Sequence, residues 1–184
     1  MDTQFNVFEI LRIAEEIEHK AAKSYLRAAG RFADAKRRDL CYDLASWRVK
    51  HERAWIRLRQ EYSDKTGEFG TFDPDNYVRS NPQVMAGLPW FGPGCGSPHG
   101  PTGCETATQI VRDALRRAEA AWIFYHGLKE FACDPGVQRM IDAMIAEEDR
   151  HIRQLNRSLD QMLGGSGDSD RRAHSDSAGM ANHP

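Results

Sequence analysis

A chain of 184 residues with 40% hydrophobic and 28% charged side chains has room for one domain with a sizeable core, and its formal net charge of -2 gives no general pull toward nucleic acid or an acidic membrane surface. No apolar run approaches the roughly 20 residues of a membrane span, and the N-terminal MDTQFNVFEILRIAEE lacks the basic-then-apolar pattern of a signal peptide. Four cysteines (Cys41, Cys95, Cys104 and Cys133) are too few for a disulfide framework at this length, so a reducing, cytoplasmic setting is expected.

From Asn6 to about Phe32, the residues Val7, Leu11, Ala14, Glu18, Ala21, Tyr25, Ala28 and Phe32 recur at alternating steps of four and three. That is the seam of a helix packed in a bundle, and Glu18 is its only charged member. About 27 residues at about 1.5 Å rise make a rod of roughly 40 Å, a bundle length. A second helix is expected from about Lys36 to Tyr62, with seam Cys41, Leu44, Arg48, His51, Trp55, Leu58 and Tyr62. Two polar residues, Arg48 and His51, stand there among apolar neighbours.

Residues 63–104 hold most of the prolines and glycines and no sustained period. A connection of that length needs a task, and the evident one is a crossover along the bundle. Asn81-Pro82 is read as opening a short helical turn, with Trp90-Phe91 pinning the segment to the bundle. The third helix is expected from about Glu105 to Phe131, with seam Val111, Ala114, Ala118, Ala121, Tyr125 and Leu128. Asp134-Pro135-Gly136 reads as a turn with Pro135 suited to a helix start. The fourth helix follows from about Gly136 to Leu163, with Ile141, Met144, Glu148, His151, Leu155, Ser158 and Met162 on one face. The domain is thus 1–163, and the Gly/Ser-rich segment 164–184 is expected to be a disordered tail.

The two halves repeat. Adding 100 to the position number carries Leu11 to Val111, Ala14 to Ala114, Ala21 to Ala121, Tyr25 to Tyr125, Leu44 to Met144, His51 to His151 and Trp55 to Leu155. The chain therefore reads as an all-α, up-down four-helix bundle of two repeated αα-hairpins joined by a long crossover. In such a bundle the polar seam positions of all four helices meet near the middle. Two positions break the symmetry: Glu18 answers to Ala118, and Glu148 answers to Arg48.

The strongest chemical signal is the pair Glu148 and His151, three residues apart on one helix face. A carboxylate and an imidazole in an apolar seam cost free energy unless something satisfies them. A metal ion between helices is one solution, and the Glu-x-x-His pair is how di-metal carboxylate bundles arrange it.

The stretches IEHKAAKSY (Ile17–Tyr25), LASWRVKH (Leu44–His51), AEAAWIFY (Ala118–Tyr125) and AEEDRH (Ala146–His151) together resemble the rubrerythrin-like branch of the ferritin-like superfamily, without a rubredoxin-like cysteine module. The resemblance covers all four helices, about residues 6–163. It implies a non-haem di-iron centre, with iron as cofactor, that acts as an oxidoreductase on peroxide, dioxygen or ferrous iron with an unknown electron donor. In that pattern the first helix of each hairpin supplies a terminal Glu. The second supplies a bridging Glu with a His three residues later. By position, Glu18 is then a terminal metal ligand, His51 and His151 are imidazole ligands and Glu148 is a bridging carboxylate. Arg48 stands where the other bridging Glu belongs, and Ala118 where the second terminal Glu belongs. Glu119 is adjacent to Ala118 but turned about 100° around the helix.

Two carboxylates and one arginine leave a net charge of about -1, too little to hold two divalent ions comfortably. A single ion on Glu18, His51, Glu148 and His151 is chemically sensible, since two imidazoles and two carboxylates suit iron, manganese or zinc. The competing arrangement has no metal: a forked Arg48–Glu148 or Arg48–Glu18 pair closes the site from within. The protein would then be a non-catalytic bundle, a scaffold or binding protein, with a homodimer expected in either case. Tyr25 and Tyr125 could hydrogen-bond the site carboxylates. Cys95, His99 and Cys104 form a C-x3-H-x4-C loop with only three zinc donors. Glu16 and His19 share the Glu-x-x-His spacing but lie off the seam. Trp47, Trp55 and Trp122 read as core or interface aromatics.

Overall fold

The computed structural model describes residues 7–69, 102–132 and 134–176, and of residues 131 and 165–176 the backbone alone. Among the described residues there are four helices and no strand: α1 Val7–Ala29, α2 Ala35–Thr66, α3 Ala107–Phe131 and α4 Pro135–Asp176. The turn expected at Asn81-Pro82, the Trp90-Phe91 anchor, Cys95, His99, Cys133 and residues 177–184 lie outside them.

Each helix has a local reason to start and stop. α1 ends at Ala29, three residues short of the expected Phe32, because the chain must reverse before Asp34 caps α2. Phe32 nevertheless remains buried and plugs the end of the bundle. The Asp34 carboxylate accepts from the Arg37 amide at 2.9 Å, the ordinary N-cap bond. α2 runs one turn past Tyr62 and is closed by Gly67, whose φ of 70° lets its amide reach the Ser63 carbonyl at 2.8 Å. α3 opens on a capping box: Gln109 donates its amide to the Thr106 hydroxyl at 3.2 Å, and its side chain accepts from the Thr106 amide at 2.8 Å. Asp134 caps α4 through the Val137 amide at 2.8 Å, with Pro135 in the first helical position. α4 then continues through Gly164 and Gly165 to Asp176, where the sequence suggests an end at Leu163 and a disordered tail. Glycines weaken a helix by about 1 kcal/mol each without proline's steric block, so the pair does not force an end.

The core fixes the topology. One apolar cluster joins Phe8, Leu11 and Ala14 of α1 to Trp55 and Leu58 of α2, Tyr125 and Leu128 of α3, and Ile141 and Met144 of α4. A second joins Tyr25 and Ala28 of α1 to Cys41 and Leu44 of α2, Val111 and Ala114 of α3, and Leu155 of α4. The start of α1 is therefore level with the end of α2, the end of α3 and the start of α4. α1 and α4 run one way, and α2 and α3 run the other. The α2–α3 connection must accordingly travel the length of the bundle. Its described ends agree: Gly67 lies at the first cluster, while Gly103 packs beside Arg31 at the opposite end. A Cβ on Gly103 would meet the Arg31 carbonyl oxygen at 3.0 Å. The closest packing is within each hairpin, α1 on α2 and α3 on α4. Burial also follows the 100-residue offset. The pattern over residues 41–55 recurs over 141–155 at every position except 54 and 154.

Leu11 is fully buried in the first cluster and Leu26 is half exposed. Leu11→Ala is expected to cost about 2–5 kcal/mol by urea denaturation, whereas Leu26→Ala should stay within about 0.5 kcal/mol. Equal losses at both sites would contradict this assignment of the seam.

Candidate functional site

Between the two apolar clusters α1, α2 and α4 bring charged or imidazole side chains together in the interior. Glu18 and Glu148 have no exposed surface, and Arg48, His51 and His151 are 1%, 3% and 5% exposed. The cluster therefore brings Glu18, Arg48, His51 and Glu148 together, with His151 one helical turn beyond Glu148. Ala118, the α3 counterpart of Glu18, is buried and offers only a methyl group. Glu119 is exposed, as its one-residue offset requires.

Arg48 sits between the two acids. Its Nη1 lies 3.0 Å from Glu148 Oε1 and 3.3 Å and 3.5 Å from the two Glu18 oxygens. It donates hydrogen bonds to Glu18. Toward Glu148 it is at ion-pair distance without hydrogen-bond alignment. His51 Nδ1 stands 3.1 Å from Glu148 Oε2 and 4.0 Å from Glu18 Oε1, again close but not aligned. The Tyr125 hydroxyl donates to Glu18 Oε1. Of the two forked pairs the sequence allowed, Arg48 makes neither alone; it bridges both carboxylates.

The protonation balance follows from this arrangement. Burial works against the charge on Arg48, but Glu148 and Glu18 outweigh it, so its pKa is raised and the guanidinium stays charged. Burial also opposes the Glu148 charge, yet Arg48 and then His51 bring its pKa down from 4.5 to about 2. Glu18 goes the other way. Its burial dominates, Arg48 and His51 only partly offset it, and its pKa is raised. One guanidinium cannot neutralise two carboxylates, and Glu148 takes the larger share. Burial and then Arg48 push His151 down from 6.5 to about 3, so its ring is neutral. Burial raises both tyrosines, Tyr25 to about 12 and Tyr125 well above its usual value, so both hydroxyls stay protonated.

Around this centre stand further groups. The Trp47 ring stacks on His151, centroids 4.3 Å apart at 13°, and lies 5.4 Å from the His51 ring. Trp47 is four residues before His51 on α2, so it occupies the same helical stripe and its spacing could have announced it. Trp55, four residues after His51, packs on Tyr125 at 4.9 Å. Arg117, buried and bonded to Asp113 at 2.7 Å, is a second interior cation that its place next to the seam only hinted at. Off the seam, His19 Nδ1 meets Glu52 at 2.8 Å and Glu16 meets Lys20 at 3.1 Å, both on partly exposed surface. Cys41 is buried and Cys104 exposed.

No protein-family model matches the chain, and no curated protein sequence does. Among solved structures, a crystal structure of a candidate ferritin-like diiron-carboxylate protein from Thermotoga maritima aligns over 88% of this chain and 99% of its own, with a TM-score of 0.55 at 16% identity. The fold is ferritin-like. Identity at that level extends to the ferritin-like architecture and not to the rubrerythrin-like branch or its chemistry.

The residues present do not suit a two-metal ferritin-like centre. Two of the expected carboxylate positions hold Arg48 and Ala118, and the guanidinium stands among the remaining donors. Among the described residues no three His, Cys, Asp or Glu side chains form a group ready to hold a metal ion. Nor, among them, is any helix long and apolar enough to cross a membrane.

Removing the guanidinium strands two buried acids. Arg48→Ala is expected to cost about 3–5 kcal/mol in urea denaturation, and Glu18→Gln made together with it should recover part of that loss. A cost below about 1 kcal/mol would mean that water already neutralises the centre. The pH dependence has a definite sign. His151 is depressed when folded, so the unfolded chain takes up its proton first and stability falls as pH drops from 6.5 toward 3. Glu148 contributes stability above 4.5 that is lost as pH falls toward 2, while the raised Glu18 opposes both. Between pH 6.5 and 4.5 the His151 contribution lowers stability as pH falls, so His151→Gln should make the urea midpoint fall less over that range than in wild type; an unchanged slope would refute it.

Proposed function

We propose that this ferritin-like bundle is neutralised at its centre by its own arginine rather than by metal, and that it serves as a non-catalytic binding or scaffold protein instead of a di-iron oxidoreductase. One observation carries the reading: Arg48 Nη1 lies 3.0 Å from Glu148 and 3.3 Å from Glu18 in a centre closed to water. A guanidinium in that position supplies the positive charge that the acids require. A divalent ion entering beside it would meet repulsion from a fixed cation in a low-dielectric interior. The missing carboxylates at positions 48 and 118 support the same reading, because the remaining acids do not carry enough charge for two ions. The diiron-carboxylate description of the Thermotoga maritima protein is consistent with a metal-binding ancestry for the architecture; the residues at this centre argue against the same chemistry here.

A second reading has one observation in its favour. Both ring nitrogens of His51 and His151, and both oxygens of Glu148, lack a hydrogen-bond partner although they are buried. Orphaned donors of this kind suit a single iron, zinc or manganese ion held by Glu18, His51, Glu148 and His151. Elemental analysis of the purified protein separates the two. The arginine-closed reading expects iron, zinc and manganese well below one equivalent in wild type, Glu148→Ala and His51→Ala alike. Near-stoichiometric metal in wild type that is lost in both variants would overturn it and establish the single-ion site.

A further inference from the structure

As a site for a single ion, the centre holds a guanidinium where a cation would stand. Bonds of about 2.0–2.2 Å to a divalent ion set neighbouring donor atoms about 3–4 Å apart. His51 Nδ1 already lies 3.1 Å from Glu148 Oε2 and 4.0 Å from Glu18 Oε1. These separations fall in the range of the edges of a coordination shell. Arg48 Nη1 approaches the same two carboxylates at 3.0 and 3.3 Å, so the guanidinium nitrogen takes the place among the donors that an ion would claim. Both imidazole rings are buried, their nitrogens lack hydrogen-bond partners, and His151 projects from α4 one turn beyond Glu148. Trp47 stacks against the His151 ring and limits its rotation.

We infer that Arg48 is a built-in cation that keeps divalent metal away from Glu18, His51 and Glu148, with His151 one helical turn further along α4, so that this one side chain decides whether the centre binds a metal. The inference rests on the arginine-closed reading above and goes beyond it, because a site lost through many changes would not return on removing one residue. Arg48→Met removes the charge at similar volume and leaves two buried acids without a counter-ion, so the variant should be less stable than wild type until an ion enters. Arg48→Lys keeps a cation in place and should continue to exclude metal.

The experiment is titration of the full chain with Co2+, followed by the visible d–d absorption of inner-sphere cobalt and by thermal unfolding. Wild type and Arg48→Lys are expected to develop no d–d bands. Arg48→Met is expected to take up one equivalent, with binding tighter than wild type by roughly tenfold or more, a visible spectrum and a raised melting temperature. His51→Ala or Glu148→Gln added to Arg48→Met should abolish all three signals. Absence of uptake by Arg48→Met, or uptake that survives both second substitutions, overturns the inference. Uptake by wild type that His51→Ala removes overturns the arginine-closed reading instead, so the two failures are told apart. Should Arg48→Met be recovered only unfolded, refolding with Co2+ and titration of Arg48→Gln replace it, and no cobalt-dependent folding or uptake in either counts equally against the inference.

Discussion

A buried guanidinium shared between two buried carboxylates is the constraint around which the rest of the structure is arranged. Moving any one of these ions from water into a dry interior costs several kcal/mol, and only close, well-matched partners offset that cost. Glu18 comes from α1, Arg48 from α2 and Glu148 from α4, while α3 supplies the Tyr125 hydroxyl that donates to Glu18. No single hairpin can satisfy the cluster. The first hairpin brings Glu18, Arg48 and His51, and the second brings Glu148, His151 and Tyr125. The docking of one hairpin on the other is thus tied to the neutralisation of charge. Apolar layers on either side, around Leu11 and Trp55 at one end and Ala28 and Val111 at the other, keep water from relaxing that tie.

The unequal treatment of the two acids follows from counting charges. Two carboxylates face one arginine, and burial penalises every uncompensated ion. Glu148, nearest to Nη1 and flanked by His51, is held well below its ordinary pKa. Glu18 shares the same arginine but leans toward its protonated form, supported by a phenol hydroxyl. His151 is held neutral by burial and by the arginine, and its stacking on Trp47 satisfies the ring's faces rather than its nitrogens. What remains is a centre whose charges are partly matched and in which the Glu148 oxygens and the histidine nitrogens lack hydrogen-bond partners. Such a centre has the parts of a ligand site and the charge of a closed one.

This combination separates fold from chemistry. The similarity to the Thermotoga maritima structure extends over nearly the whole of both chains, at 16% identity. Ferritin-like architecture needs only four amphipathic helices, a hairpin pairing and a crossover long enough to start α3 parallel to α2. The chemistry depends on a few side chains at the centre, and likeness of fold does not fix those.

How far all this could be read from residues alone depends on what periodicity encodes. Alternating steps of three and four identify the inward stripe of a helix, so the four helices, their hairpin order, the crossover and the burial of Glu18, Arg48, His51, Glu148 and His151 were legible from spacing. The offset of 100 residues located the break in symmetry at Ala118 and Arg48. Periodicity says nothing about rotamers or about which ends of a stripe touch across helices. That Arg48 would bridge both acids, that Tyr125 rather than Tyr25 would donate to Glu18, and that Trp47 would cover His151 were decided by tertiary packing. Helix ends likewise shifted where a cap, such as Gly67, or the lack of a block, as at Gly164, outweighed the seam. The sequence alone determined which side chains must be buried, because facing is a property of one helix; only the assembled bundle decided which of them neutralise one another, because that depends on distances between helices.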